Sequence, residues 1–109
     1  MGMVVNRFDI FIVSLEPTQG SEIRKTRPCV VISPDEMNRH INTVIVAPMT
    51  STIRNYPSRI LVEFRGKHGS IVLDQLRAID KIRLIEKVGH LKKSTAEKVI
   101  FVLQEMFAI

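Results

Sequence analysis

The chain has 109 residues, enough for one packed core and too few for two, so a single domain over residues 1–109 is expected. Hydrophobic residues at 45% and charged residues at 25% exclude a disordered tail and a fibrous repeat. Sixteen Lys and Arg against eleven Asp and Glu leave +5, which suits a polyanion or an acidic protein as partner.

The first residues, Met1-Gly2-Met3-Val4-Val5-Asn6, lack the basic region and long apolar stretch of a secretory leader, and Asn6 breaks the myristoylation pattern. No apolar run approaches the roughly 18–20 residues that span a bilayer. A cytoplasmic chain with no membrane partner is the expectation. From Phe8 onward apolar and β-branched residues follow one another, predicting a largely buried strand over residues 8–15. Residues 16–26 are polar and broken by Pro17 and Gly20, giving a loop well above the usual hairpin length of about two to five. Long ordered loops on small domains often carry function.

Residues 29–32 read as a second strand, closed by Ser33-Pro34-Asp35-Glu36, with Ser33 or Asp35 capping a short helical turn through Asn38. Cys29, the single cysteine, excludes an intramolecular disulfide and any Cys-cluster metal site, and fits a reducing compartment. Between Pro28 and Val30-Val31-Ile32 it reads as a small core hydrophobe rather than a nucleophile. Residues 43–49 predict a third strand, and Pro48 near its end suggests an edge or a bulge.

Residues 59–64 alternate, with Ile60, Val62 and Phe64 on one face, and Gly66-Lys67-His68-Gly69 reads as the turn of a hairpin. Residues 70–76 and 84–91 supply further strands, joined by a segment too short for more than a helical turn. Up to six short strands at close spacing favour a small barrel. Residues 51–93 hold ten bases and four acids, so the positive surplus lies here. Finally, Ser94-Thr95-Ala96-Glu97 has the form of a capping box, and Val99, Val102, Leu103 and Met106, with Ile100 and Phe107 alongside, make an apolar stripe at helical spacing. A C-terminal helix with that stripe as its core face is expected.

The three histidines, His40, His68 and His90, have no metal-ligand spacing, and no phosphate-binding glycine loop or serine-hydrolase elbow is present. A cofactor-free activity is what remains. Arg24-Lys25-Thr26-Arg27-Pro28 sits directly before the second strand. Arg27, held between loop and strand, offers a fixed guanidinium of the kind that suits a phosphate. The hydroxyl run Thr50-Ser51-Thr52 ends the third strand. If the two strands are antiparallel neighbours, Arg27 and Thr50 meet at one sheet edge.

These motifs, taken together, resemble a known family. Asp9-Ile10-Phe11, Leu15-Glu16-Pro17-Thr18-Gln19-Gly20-Ser21-Glu22, Thr26-Arg27-Pro28, Val46-Ala47-Pro48-Met49-Thr50-Ser51, Tyr56-Pro57, Asp74-Gln75 and Arg77-Ala78-Ile79-Asp80 are similar, in order, to the MazF/PemK-like endoribonuclease toxins of toxin–antitoxin pairs. The resemblance implies a mainly β, SH3-like barrel with a C-terminal helix, a homodimer, a cognate antitoxin, and metal-independent cleavage of single-stranded RNA. The RNA's own 2′-hydroxyl attacks, leaving a 2′,3′-cyclic phosphate and a 5′-hydroxyl. Carried onto matching positions, Arg27 and Thr50 are catalytic, while Glu22, Ser51, Asp74 and Gln75 support the reaction or contact RNA. Arg24, Lys25 and Arg77 join them as bases of the same motifs. The segment Ile23-Arg24-Lys25 departs from the Gln-rich or Gly-rich stretch of some members, which bears on loop flexibility and sequence preference.

A positioned guanidinium and hydroxyl would stabilise the charge that builds on the phosphoryl oxygens. Arg27 stays protonated and is a poor base, so Asp74 or Glu22 takes that part if either reaches the 2′-hydroxyl. Two other readings share the fold: a CcdB-type toxin that binds DNA gyrase and cleaves nothing, and an RNA-binding SH3-like module without chemistry. Arg27 with Thr50-Ser51 is the feature that a gyrase binder does not need.

Overall fold

The computed structural model describes residues 3–23 and 25–109. Arg24, and the first two residues of the segment read for a leader, lie outside the described residues. The elements run β1 (Asp9–Ser14), β2 (Thr26–Val31), α1 (Asp35–His40), β3 (Thr43–Thr50), β4 (Arg59–Phe64), β5 (Lys67–Val72), β6 (Arg77–Asp80), β7 (Leu84–His90) and α2 (Lys93–Phe107), with 3-10 turns at Leu73–Gln75 and Lys81–Arg83. Every strand pairing is antiparallel, in the order β4-β5-β3-β2-β1-β7, and β6 also lies on β3. The sheet curls, with the C-terminal helix against its concave side, so the expected small mainly β barrel with a terminal helix is what the sequence builds. Its two outermost strands approach through side chains: a Cβ placed on Gly89 of β7 would meet Phe64 Cε1 of β4 at 3.3 Å.

Alternation along the strands divides the core in two. Ile10, Val30, Ala47, Met49, Ile60 and Ile71 share one face with Ala96 and Val99 of α2. Phe11, Val13, Cys29, Val31, Val44, Val46, Ile79 and Leu84 share the other. Both faces are covered, which is why β1, β2 and β3 read as nearly continuous apolar runs; each such side chain contributes about 1.5–3 kcal/mol on burial.

Several local readings change. β2 starts at Thr26, three residues early, because Arg27 and Pro28 pair with Val13 and Ile12. Arg27 is therefore a strand residue rather than a loop end. Pro48 is not on an edge strand: β3 is central, and Pro48 pairs Cys29 on one side. On the other side β3 changes partner, from β6 at residues 43–46 to β5 at residues 49–50, and the proline, which has no N–H to give, sits in that gap.

The β4–β5 turn is Arg65-Gly66, since Phe64 already pairs Lys67, and both turn residues have positive φ, 54° and 77°. That is the two-residue geometry that matches strand twist, and it puts Lys67, His68 and Gly69 into β5. Of the joining segment 77–83, Arg77–Asp80 form β6, and the expected helical turn is confined to Lys81–Arg83. Neither Ser33 nor Asp35 caps α1, whose N-cap is Pro34. Ser33 bonds the Asn38 side chain (2.6 Å), and Asp35 accepts the Arg7 amide (2.6 Å).

The capping box fails too, because α2 begins one residue before Ser94, with Lys92 at its N-cap and no side-chain capping bond. Of the expected stripe, Val99 is buried and Val102 and Leu103 pack on its edge, while Met106 and Phe107 are exposed on the last turn.

Candidate active site

The register Cys29↔Pro48, carried two residues outward, sets Arg27 of β2 opposite Thr50 of β3. By the same alternation both share the face of Cys29, whose thiol feels the charges of Arg27 and Arg77. A cleft of about 210 Å³ opens here, lined by Arg27, Thr50, Ser51, Phe64, Lys67 and His68 among others. The predicted pair and Ser51 therefore meet in one place, and the basic Lys67 and His68 join them. Sequence reading missed those two by placing them in a turn. The signal that could have found them was Arg65-Gly66, a better two-residue turn than Gly66 to Gly69.

Thr50 is held tightly. Its Oγ1 accepts the Thr52 amide at 3.2 Å, and its carbonyl lies so close to β5 that a Cβ on Gly69 would come within 2.4 Å of it. Only glycine fits at 69 without moving backbone. This is a second residue that the sequence did not disclose, since close approach is a property of the sheet.

The remaining expected residues gather next door. Glu22, Asp74, Gln75 and Arg77 line a neighbouring cleft of about 230 Å³ with Leu15, Ile23 and Pro48. Pro48 and Thr50 are two residues apart on the same face of β3, so the clefts lie side by side. Here the polar groups hold the 16–25 loop and its surroundings. Gln75 Oε1 accepts the Ile23 amide (2.8 Å), Arg77 Nη1 donates to the Leu15 carbonyl (3.1 Å), and Glu22 Oε1 accepts the Gln19 amide (2.6 Å). Lys25 is apart from both clefts, exposed at φ 70°, its amide bonded to Glu16 Oε1 (2.8 Å).

Asp74 is gripped by Arg59, with Nε to Oδ1 at 3.0 Å and Nη2 to Oδ2 at 3.2 Å, and by Ser58 Oγ at 2.7 Å. The Arg59 bonds hold its carboxyl below the ordinary aspartate range against the opposing effect of burial. Both oxygens accept hydrogen bonds, which favour the ionised form of Asp74. Glu22 is folded back on its own loop. Burial pushes the Cys29 thiol up to about 12, in keeping with its reading as a core residue. Among the described residues, no three His, Cys, Asp or Glu side chains gather into a metal-holding group, and no helix is long and apolar enough to cross a membrane.

A curled antiparallel sheet with a terminal helix thus carries an arginine–hydroxyl cleft where β2, β3 and the β4–β5 hairpin meet. MazF from Deinococcus radiodurans superposes with a TM-score of 0.85 over 98% of this chain and 99% of that one at 22% identity. A mycobacterial endoribonuclease solved with its cognate antitoxin gives 0.81 over 96% of each chain at 19%. In sequence, the endoribonuclease EndoA of Bacillus subtilis is 37% identical over 98% of this chain and 97% of its own length. Residues 6–107 match the family described as PemK-like, MazF-like toxin of type II toxin-antitoxin system, and the chain belongs to that family.

Proposed function

We propose that this family member is the endoribonuclease toxin of a type II toxin–antitoxin pair, cleaving single-stranded RNA with Arg27 and Thr50 at the scissile phosphate. The observation that carries this reading is the convergence of those two side chains in one basic cleft on adjacent strands. The RNA 2′-oxygen attacks the adjacent phosphorus, the bond to the 5′-oxygen breaks, and the products carry a 2′,3′-cyclic phosphate and a 5′-hydroxyl. Charge gathers on the phosphoryl oxygens as this happens. A guanidinium and a hydroxyl aimed at those oxygens stabilise it, with no metal required. With Asp74 engaged by Arg59, the base for the 2′-hydroxyl is not that carboxylate.

The protein acts as a cytoplasmic homodimer in this reading, and its cognate antitoxin inhibits by covering the RNA-binding face with an acidic segment that folds as it binds. The +6 balance of residues 51–93 suits either polyanion. RNA affinity then falls steeply with salt, and antitoxin affinity, which includes buried apolar side chains, falls less. The deciding experiment is incubation with a long single-stranded transcript in EDTA, followed by end-group analysis. Cyclic phosphate ends are expected. Loss of cleavage in EDTA with recovery in magnesium, or 3′-hydroxyl ends, overturns the mechanism, and RNA binding without cleavage reduces the chain to a binding module.

A further inference from the structure

Thr50 can serve a phosphate only if its hydroxyl hydrogen points into the cleft, and the groups behind it decide that. A hydroxyl has one hydrogen and two lone pairs. The Thr52 amide occupies a lone pair of Thr50 Oγ1 at 3.2 Å, which leaves the hydrogen for donation. Thr52, however, lies in the exposed stretch that follows β3, where nothing in its own sequence fixes an amide direction.

The fixing group comes from β5. Ser70 pairs with Thr50 across the β3–β5 ladder, is fully buried, and its Oγ donates to the Thr52 carbonyl at 3.2 Å. A buried hydroxyl without a partner is costly, so this bond is enforced by burial itself. The missing side chain at Gly69 lets β5 lie close enough for it.

We propose that Ser70 is a positioning residue for the reaction: it holds Thr52 so that the Thr52 amide takes the lone pair of Thr50 and turns the hydroxyl hydrogen toward the scissile phosphate. This rests on the reading of Thr50 as a phosphate donor. It assigns a task to a buried serine behind Thr50 in the same cleft.

The test is a double-mutant cycle in kcat and KM, on a fluorogenic single-stranded oligonucleotide carrying a cleavage site first mapped on a long transcript. Thr50→Ala should lower kcat about a hundredfold. Ser70→Ala should lower it about tenfold with KM unchanged, as displacement of a catalytic group does. In the Thr50→Ala background, Ser70→Ala should have no further effect on kcat, because nothing is left to position. Wild-type kcat in Ser70→Ala, or a full additional tenfold loss in the double variant, overturns the proposal. Wild-type kcat in Thr50→Ala overturns instead the reading of Thr50 on which it rests. Should Ser70→Ala melt too early to assay, Thr52→Pro deletes the amide at an exposed position; the same kcat loss with unchanged KM is expected, and wild-type kcat again overturns the proposal.

Discussion

The two neighbouring clefts hold similar residues in different hydrogen-bonded settings. In the first, Arg27 and Thr50 stand on paired strands, and Thr50 keeps its hydroxyl hydrogen. In the second, Asp74, Gln75, Arg77 and Glu22 are hydrogen-bonded to Arg59, Ile23, Leu15 and Gln19. In the reading proposed above, the motif residues form a reactive set, Arg27 and Thr50, and an architectural set whose polar groups hold the 16–25 loop and its surroundings. The second set keeps a long loop in place beside the first.

The sharpest way to break this comparison is Arg27→Ala. It should lower kcat by about two to three orders of magnitude, because a positioned donor to the transition state is lost. The melting temperature should stay close to wild type. Arg27→Lys should restore only part of the rate, since an ammonium cannot reproduce the planar fork. Near wild-type turnover in a folded Arg27→Ala protein would remove the distinction between the clefts.

Gln75→Ala should act mainly on KM, raising it several-fold, because the Ile23 amide loses its acceptor and the loop loosens. Hydrogen exchange at the Ile23 amide should quicken in the same protein; a kcat loss as large as that of Arg27→Ala would move Gln75 into the reactive set. Asp74→Asn should have the smallest effect on cleavage and leave the kcat–pH profile unchanged. Its signature lies in stability. Because the folded carboxyl is held below its ordinary value, Asp74 stabilises the protein above the ordinary aspartate range, and that contribution is lost as pH falls through the folded value. The melting-temperature gap between wild type and Asp74→Asn should be widest near neutral pH and close in acid. A gap constant with pH would mean that the Arg59 pair contributes nothing.

Some of this was legible in the sequence. β1 and β3 announce themselves through β-branched runs, and Arg27 beside Thr50 follows from one strand starting where its neighbour ends. Other parts depend on partners far along the chain. β6 has a single buried residue, Ile79, so its alternation is too short to see, and it exists because β3 offers an edge there. The need for glycine at 69 comes from the Thr50 carbonyl, nineteen positions earlier in the chain. The division into two clefts was equally hidden, since it turns on Asp74 meeting Arg59 and Gln75 meeting Ile23. The capping box misled because four residues of the right kind fell just inside a helix that Lys92 had already begun.

Cys29 gives the molecule a built-in reporter. The lone thiol is sealed on the ladder between β1 and β3, so an alkylating reagent can reach it only when β2 leaves the sheet. Labelling at limiting reagent thus counts openings of the strand that carries Arg27, without any engineered probe. Oxidants meet the same barrier, so a burst of peroxide should leave the Cys29 thiol of the folded toxin unmodified while it modifies cysteines exposed on other proteins.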